Sequence, residues 1–185
     1  MGCDIHAHIE YRRVDRVGRR LPRRGLPSWR QYASLNVNRN YALFSVLANV
    51  RNERGNDIVI EPVSMPKELP VDLSWAVKDE FERHWKADAH SCSWLSLEDL
   101  RRAQEIYAKV ELPGESWEQP ADSPVDDDVR VTGERVSLGL TRWIYCERGV
   151  RKPLGKNAEL ESVIAMMQAL ESGGRQTRLV FWFDN

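Results

Sequence analysis

Cys3-Asp4-Ile5-His6-Ala7-His8-Ile9-Glu10-Tyr11 decides the reading of the fold, because its residues alternate. Cys3, Ile5, Ala7 and Ile9 fall on one side, and Asp4, His6, His8 and Glu10 on the other. A period of two is that of a strand, and a single apolar side is that of a strand with one face against a core. Near the other end, Leu179-Val180-Phe181-Trp182-Phe183 is apolar at every position, as a strand buried on both faces must be. Between these strands the spacing turns helical. Leu43, Phe44, Leu47 and Val50 share one face of a helix beginning near Asn40, and Val77, Phe81 and Trp85 one beginning near Ser74. Ser96 and Asp99 have the form of a capping box in front of Leu100, Tyr107 and Val110. A further helix from Ala158 carries Leu160, Val163, Ile164 and Met167 and stops at Gly173-Gly174. The pattern predicts one α+β domain over residues 1–185, with a mixed or antiparallel sheet that includes both strands and packs against about four helices.

The bulk composition agrees with a self-sufficient core, since 185 residues at 42% hydrophobic lie well outside the composition of a disordered chain. No run of about 18 apolar residues suits a membrane span, and the start lacks a secretory apolar stretch. Three cysteines without a C-x-x-C pair predict reduced thiols, and together these features predict a cytoplasmic protein without membrane contact. The net charge of -1 hides two opposed segments. Residues 12–30 hold eight Arg against Asp15, punctuated by Gly18, Pro22, Gly25 and Pro27, which predicts a projecting hairpin or loop. Residues 111–128 hold seven acids and no base, with Pro113, Pro120 and Pro124, which predicts a surface loop, and residues 129–148 alternate as β structure.

On a strand, side chains two apart project from one face about 7 Å from each other, so H-x-H can bring two imidazoles to one ion while an acid two residues earlier joins or orients them. Asp4, His6 and His8 have that spacing. Asp88-Ala89-His90 repeats the D-x-H pair in a break between helices, and Cys92 follows two residues later. The expectation is a site for Zn or Mn built from Asp4, His6, His8, Asp88, His90 and Cys92, with Asp184 as a supplementary ligand and His84 structural. The competing reading is a polar strand face that merely meets water. Arg12, Arg13, Arg16, Arg19 and Arg20 are candidates for bidentate phosphate contact. No Walker, G-x-G-x-x-G or G-x-S-x-G motif is present, which removes the P-loop and serine-hydrolase readings.

Met1-Gly2-Cys3-Asp4-Ile5-His6, Arg39-Asn40-Tyr41-Ala42-Leu43-Phe44, Val50-Arg51-Asn52, His90-Ser91-Cys92-Ser93-Trp94-Leu95 and Phe181-Trp182-Phe183-Asp184-Asn185 resemble motifs of a recurring group of proteins from bacteriophages, prophages and some bacteria. The resemblance implies a phage context, with action in the host cytoplasm. The D-x-H-x-H segment also looks like the first-strand motif of amidohydrolases and of the polymerase-and-histidinol-phosphatase phosphoesterases, as a local analogy, since those barrels draw further ligands from later strands. The leading expectation is a metal-dependent hydrolase of a phosphoester or nucleotide. The alternatives are a non-catalytic protein that sequesters a host signal nucleotide or blocks a host defence protein, and a structural-zinc interaction domain. Self-association stays open.

Overall fold

A computed structural model describes residues 2–14, 29–52, 60–137 and 139–185. In chain order the elements are β1 (Asp4–Arg13), β2 (Arg30–Asn36), α1 (Tyr41–Ala48), α2 (Trp75–Glu80), a π-helical turn (Phe81–Trp85), β3 (His90–Leu95), α3 (Leu97–Lys109), β4 (Glu111–Leu112), β5 (Glu115–Pro120), β6 (Val129–Val136), β7 (Arg142–Arg148), β8 (Lys152–Pro153), α4 (Ala158–Ser172) and β9 (Arg175–Asp184). The local signals hold where they were strongest. Asn40 caps α1 through Oδ1, which accepts from the Leu43 N–H at 3.0 Å. Ser96 and Asp99 close the capping box of α3.

The main sheet has the order β2-β1-β9-β3 with every neighbour antiparallel, so the first and last strands are its two central members. Their register sorts the side chains by face. Ile5 lies opposite Phe183, Ala7 opposite Phe181 and Ile9 opposite Leu179, and these residues form one core with α1, α3 and α4. His6 lies opposite Trp182 and His8 opposite Val180, on the reverse face, which α2 and the π-helical turn cover over a smaller core of Val77, Val180 and Trp182. The α+β architecture with both strands in one antiparallel sheet is therefore as the alternation predicts, but the polar face of β1 is roofed instead of open to water.

Two segments differ from the sequence reading. Residues 90–95, where the sequence pattern predicts a break between helices, are strand β3. The register shifts between His90 and Ser93, and Ser91 sits at φ 48°, so the period of two is interrupted inside the strand and the sequence does not display it. The acidic stretch, whose composition predicts a surface loop, contains β4 and β5. Trp117 pairs with Cys146 across β5 and β7, and Arg148 meets Asp126 at 2.7 Å and Asp128 at 3.0 Å, so bases from a later strand relieve the repulsion that argued for a loop. β5, β7 and β6 form a three-stranded sheet, and β4 pairs with β8. Of the hairpin or loop expected over residues 12–30, Arg12 and Arg13 belong to β1 and Arg30 to β2, which are antiparallel neighbours, and residues 15–28 lie outside the described residues. No described helix is long and apolar enough to cross a membrane.

Candidate functional site

The expected ligands divide between the two faces of the sheet. Asp4 accepts two bonds from Arg39, at 3.0 Å from Nε and 2.7 Å from Nη2, and these hold its carboxyl below the usual carboxylate range. His6 lies against Trp85 with the rings tilted by 31° and their centroids 3.7 Å apart, and its Nε2 is 3.5 Å from Asp184 Oδ2. His8 is only 2% exposed, lies on Trp182 at 4.9 Å, has Gln31 Nε2 and Ser34 Oγ each 3.0 Å from Nδ1, and directs Nε2 toward Glu80 Oε1 at 3.6 Å. Both carboxylate separations exceed ordinary hydrogen-bond lengths, and both Nε2 atoms are buried without a hydrogen-bond partner in the protein.

His90 is on the other side. It is opposite Phe183 in the ladder and stacks on that ring at 6.0 Å, with Nε2 3.9 Å from Cys3 Sγ. Because Trp182 and Phe183 are consecutive residues of β9, their cross-strand partners His6 and His90 project to opposite faces. Asp88 is exposed in the turn after the π-helical segment, and Cys92 packs into the smaller core, where burial pushes its thiol up. Asp4, His6, His8, Asp88, His90 and Cys92 therefore do not surround one point. Among the described residues no group of three or more His, Cys, Asp or Glu side chains is placed to hold an ion. The predicted Arg cluster is likewise only partly in view. Arg12 stacks over Trp29 at 4.6 Å and donates from Nε to Gln176 Oε1 at 2.8 Å, Arg13 is exposed, and Arg16, Arg19 and Arg20 lie outside the described residues.

Two groups escaped the sequence reading. Glu10, fully buried, accepts from Arg178, whose guanidinium also reaches Asp72 and stacks over Trp29 at 4.0 Å. The alternation of β1 places Glu10 on the His face, but nothing local pairs it with a residue 168 positions away. The second group is a cleft of about 600 Å³ between α1, the end of α3 and the β4–β5 connection, lined by Asn40, Tyr41, Arg51, Tyr107 and Ser116. Arg51 has φ 60° and donates from Nη2 to Asn185 Oδ1 at 3.0 Å. It also faces the buried Cys3 thiol, which burial pushes up and Arg51 pulls down, with burial prevailing. Comparison with protein-family models, curated proteins and solved structures finds no match.

Burial holds His8 below the ordinary value of 6.5, outweighing Glu80 and Glu10, which act to raise it. The unfolded chain then binds more protons than the folded one just below that value, so stability falls as pH drops through it. Lowering pH from about 7.5 to about 5.5 should reduce the urea midpoint, and His8→Gln should remove a measurable part of that reduction. An unchanged pH dependence in the variant would take His8 out of the account. The depressed carboxyls of Asp4, Asp72 and Asp99 act in a lower range, below 3.8.

Proposed function

We propose that this chain is a binding protein for an anionic small molecule of the nucleotide class, held in the cleft beside Arg51. The observation that carries the reading is Arg51 itself. A planar guanidinium suits bidentate contact with phosphate, and this one lines a cleft at the junction of the helical layer and the smaller β structure, where ligand sites commonly form. Its backbone occupies the left-handed region, which is unfavourable for a residue with a Cβ by about 1–2 kcal/mol. Such outliers concentrate where a side chain has to be presented in one direction. Tyr41, Tyr107 and Ser116 supply further polar groups around it, Tyr107 Oη being held in place by the Asn40 Nδ2 donor at 2.9 Å. In a phage context such a protein would sequester a host signal nucleotide.

Metal-dependent hydrolysis would call for three protein ligands and an open position on one ion. The polar face of β1 instead offers two separate pairs, His6 with Asp184 and His8 with Glu80.

Calorimetric titration with a panel of mono-, di- and cyclic nucleotides tests the proposal. At least one should bind, and Arg51→Ala should weaken it about tenfold or more, the loss of a hydrogen bond to a charged group. Binding unaffected by Arg51→Ala in a folded variant, or no binding across the panel, overturns it.

A further inference from the structure

The segment that roofs the His face has the marks of a separable unit. It is fastened to β1 at its two ends by different means. The Ser74 N–H, at the start of α2, donates to Glu10 Oε1 at 2.7 Å. At the far end, Glu80 faces His8 and Trp85 lies against His6. Between these points only Val77, Val180 and Trp182 are fully buried, with Phe81 edge-on to Trp182 at 5.2 Å and partly exposed, whereas the opposite face of the sheet is sealed by three helices. The roof is also irregular. α2 has no side-chain cap bond at Ser74 and gives way at Phe81 to a π-helical turn, a rare geometry found mostly in single turns and often at functional positions.

The roofed state also leaves polar atoms unsatisfied. His6 Nε2, His8 Nε2, Trp182 Nε1 and Ser74 Oγ are buried and find no hydrogen-bond partner in the protein, and all four lie in or beneath this segment. Unpaired buried atoms of this kind favour the open state, because lifting the roof gives them water.

We infer that residues 74–89 form a cover that lifts from the sheet as a unit while the helical side of the fold stays intact. Lifting bares the two imidazoles of β1, the Trp182 indole and the Asp184 carboxylate together. The cover thus conceals a second polar surface, on the face of the sheet opposite Arg51. Openings of this kind, in contiguous units below the global unfolding free energy, are how native proteins expose binding surfaces.

Native-state hydrogen exchange on the full chain, read by peptide mass spectrometry across a denaturant series below the unfolding transition, tests the inference. Amides of residues 75–89 should exchange about a hundredfold faster than those of β1 and β9, with a smaller denaturant dependence. Matching rates and matching denaturant dependence would mean that the cover opens only by global unfolding, and would overturn it. Ser74→Ala removes one unsatisfied hydroxyl without removing a cap bond. It should slow exchange of residues 75–89 about threefold to tenfold and leave β9 unchanged. Equal slowing in both regions, or none in the cover, would refute the origin given for its opening.

Discussion

Arg178→Ala is expected to destabilise the fold by about 3–5 kcal/mol, the usual cost of leaving one member of a buried ion pair behind. Arg178 Nε and Nη2 both reach Glu10 Oε2 at 2.7 Å, Nη1 reaches Asp72 Oδ1 at 2.8 Å, and the guanidinium covers the Trp29 ring. Without it, Glu10 keeps only the Ser74 N–H among these partners and stays fully buried. Burial pushes the Asp72 carboxyl up, but the bonds from Arg178 and Trp29 outweigh it and hold the group below its ordinary value. Loss of Arg178 should therefore also raise the Asp72 pKa. For a domain of ordinary stability, about 5–15 kcal/mol, the variant approaches the unfolding threshold. The measurement is urea unfolding of the single variant and of Glu10→Gln/Arg178→Met, where removal of both charges should restore much of the loss. A single variant within about 1 kcal/mol of the parent would show that the pair is already solvated.

Phe181→Ala should cost a similar amount, about 3–5 kcal/mol, through lost apolar burial and the cavity left behind. Phe181 is 0% exposed on a central strand, edge-on to Phe183 with centroids 5.8 Å apart. In thermal melts the drop should be roughly 6–20 °C for a chain of this size. His84→Ala, at an exposed position of the π-helical turn, should change stability by no more than about 0.5 kcal/mol. A Phe181→Ala melt coinciding with that control would contradict the placement of β9 at the centre of the core.

The difference between these two sites shows which parts of the structure were legible in the sequence. Phe181 could be placed from its neighbours alone, since an unbroken apolar run has only one comfortable position in a sheet. The helix starts at Asn40 and Ser96 were equally visible, because capping is settled within a few residues. The pairing of Glu10 with Arg178 was not, because it depends on the register of two strands at opposite ends of the chain. The same dependence sets His90 apart from His6. Within β1 the common side of Asp4, His6 and His8 was readable, but the side taken by His90 follows from a bulge in β3 that sets it opposite Phe183. A shift of one residue in that register would have put His90 on the face that His6 occupies. Arg51 stood in the sequence only as part of the Val50-Arg51-Asn52 resemblance and not as a binding residue, because its position is defined by a backbone angle and a cleft, neither of which leaves a periodic trace.

The adjacency of β1 and β9 also bears on how the protein is made. Asp4 and Asp184 are ladder partners, yet a ribosome releases the first long before it has added the second. At about 5–20 residues per second, translation leaves Ile5, Ala7 and Ile9 without their partners for roughly ten seconds or more. Until β9 emerges, β1 can pair only with β2 among its native neighbours, and that strand pair presents a bare central edge to solvent. Nascent chains on crowded polysomes can join through such edges, so the yield of soluble protein should depend on translation speed and holdase chaperones more than its equilibrium stability would suggest.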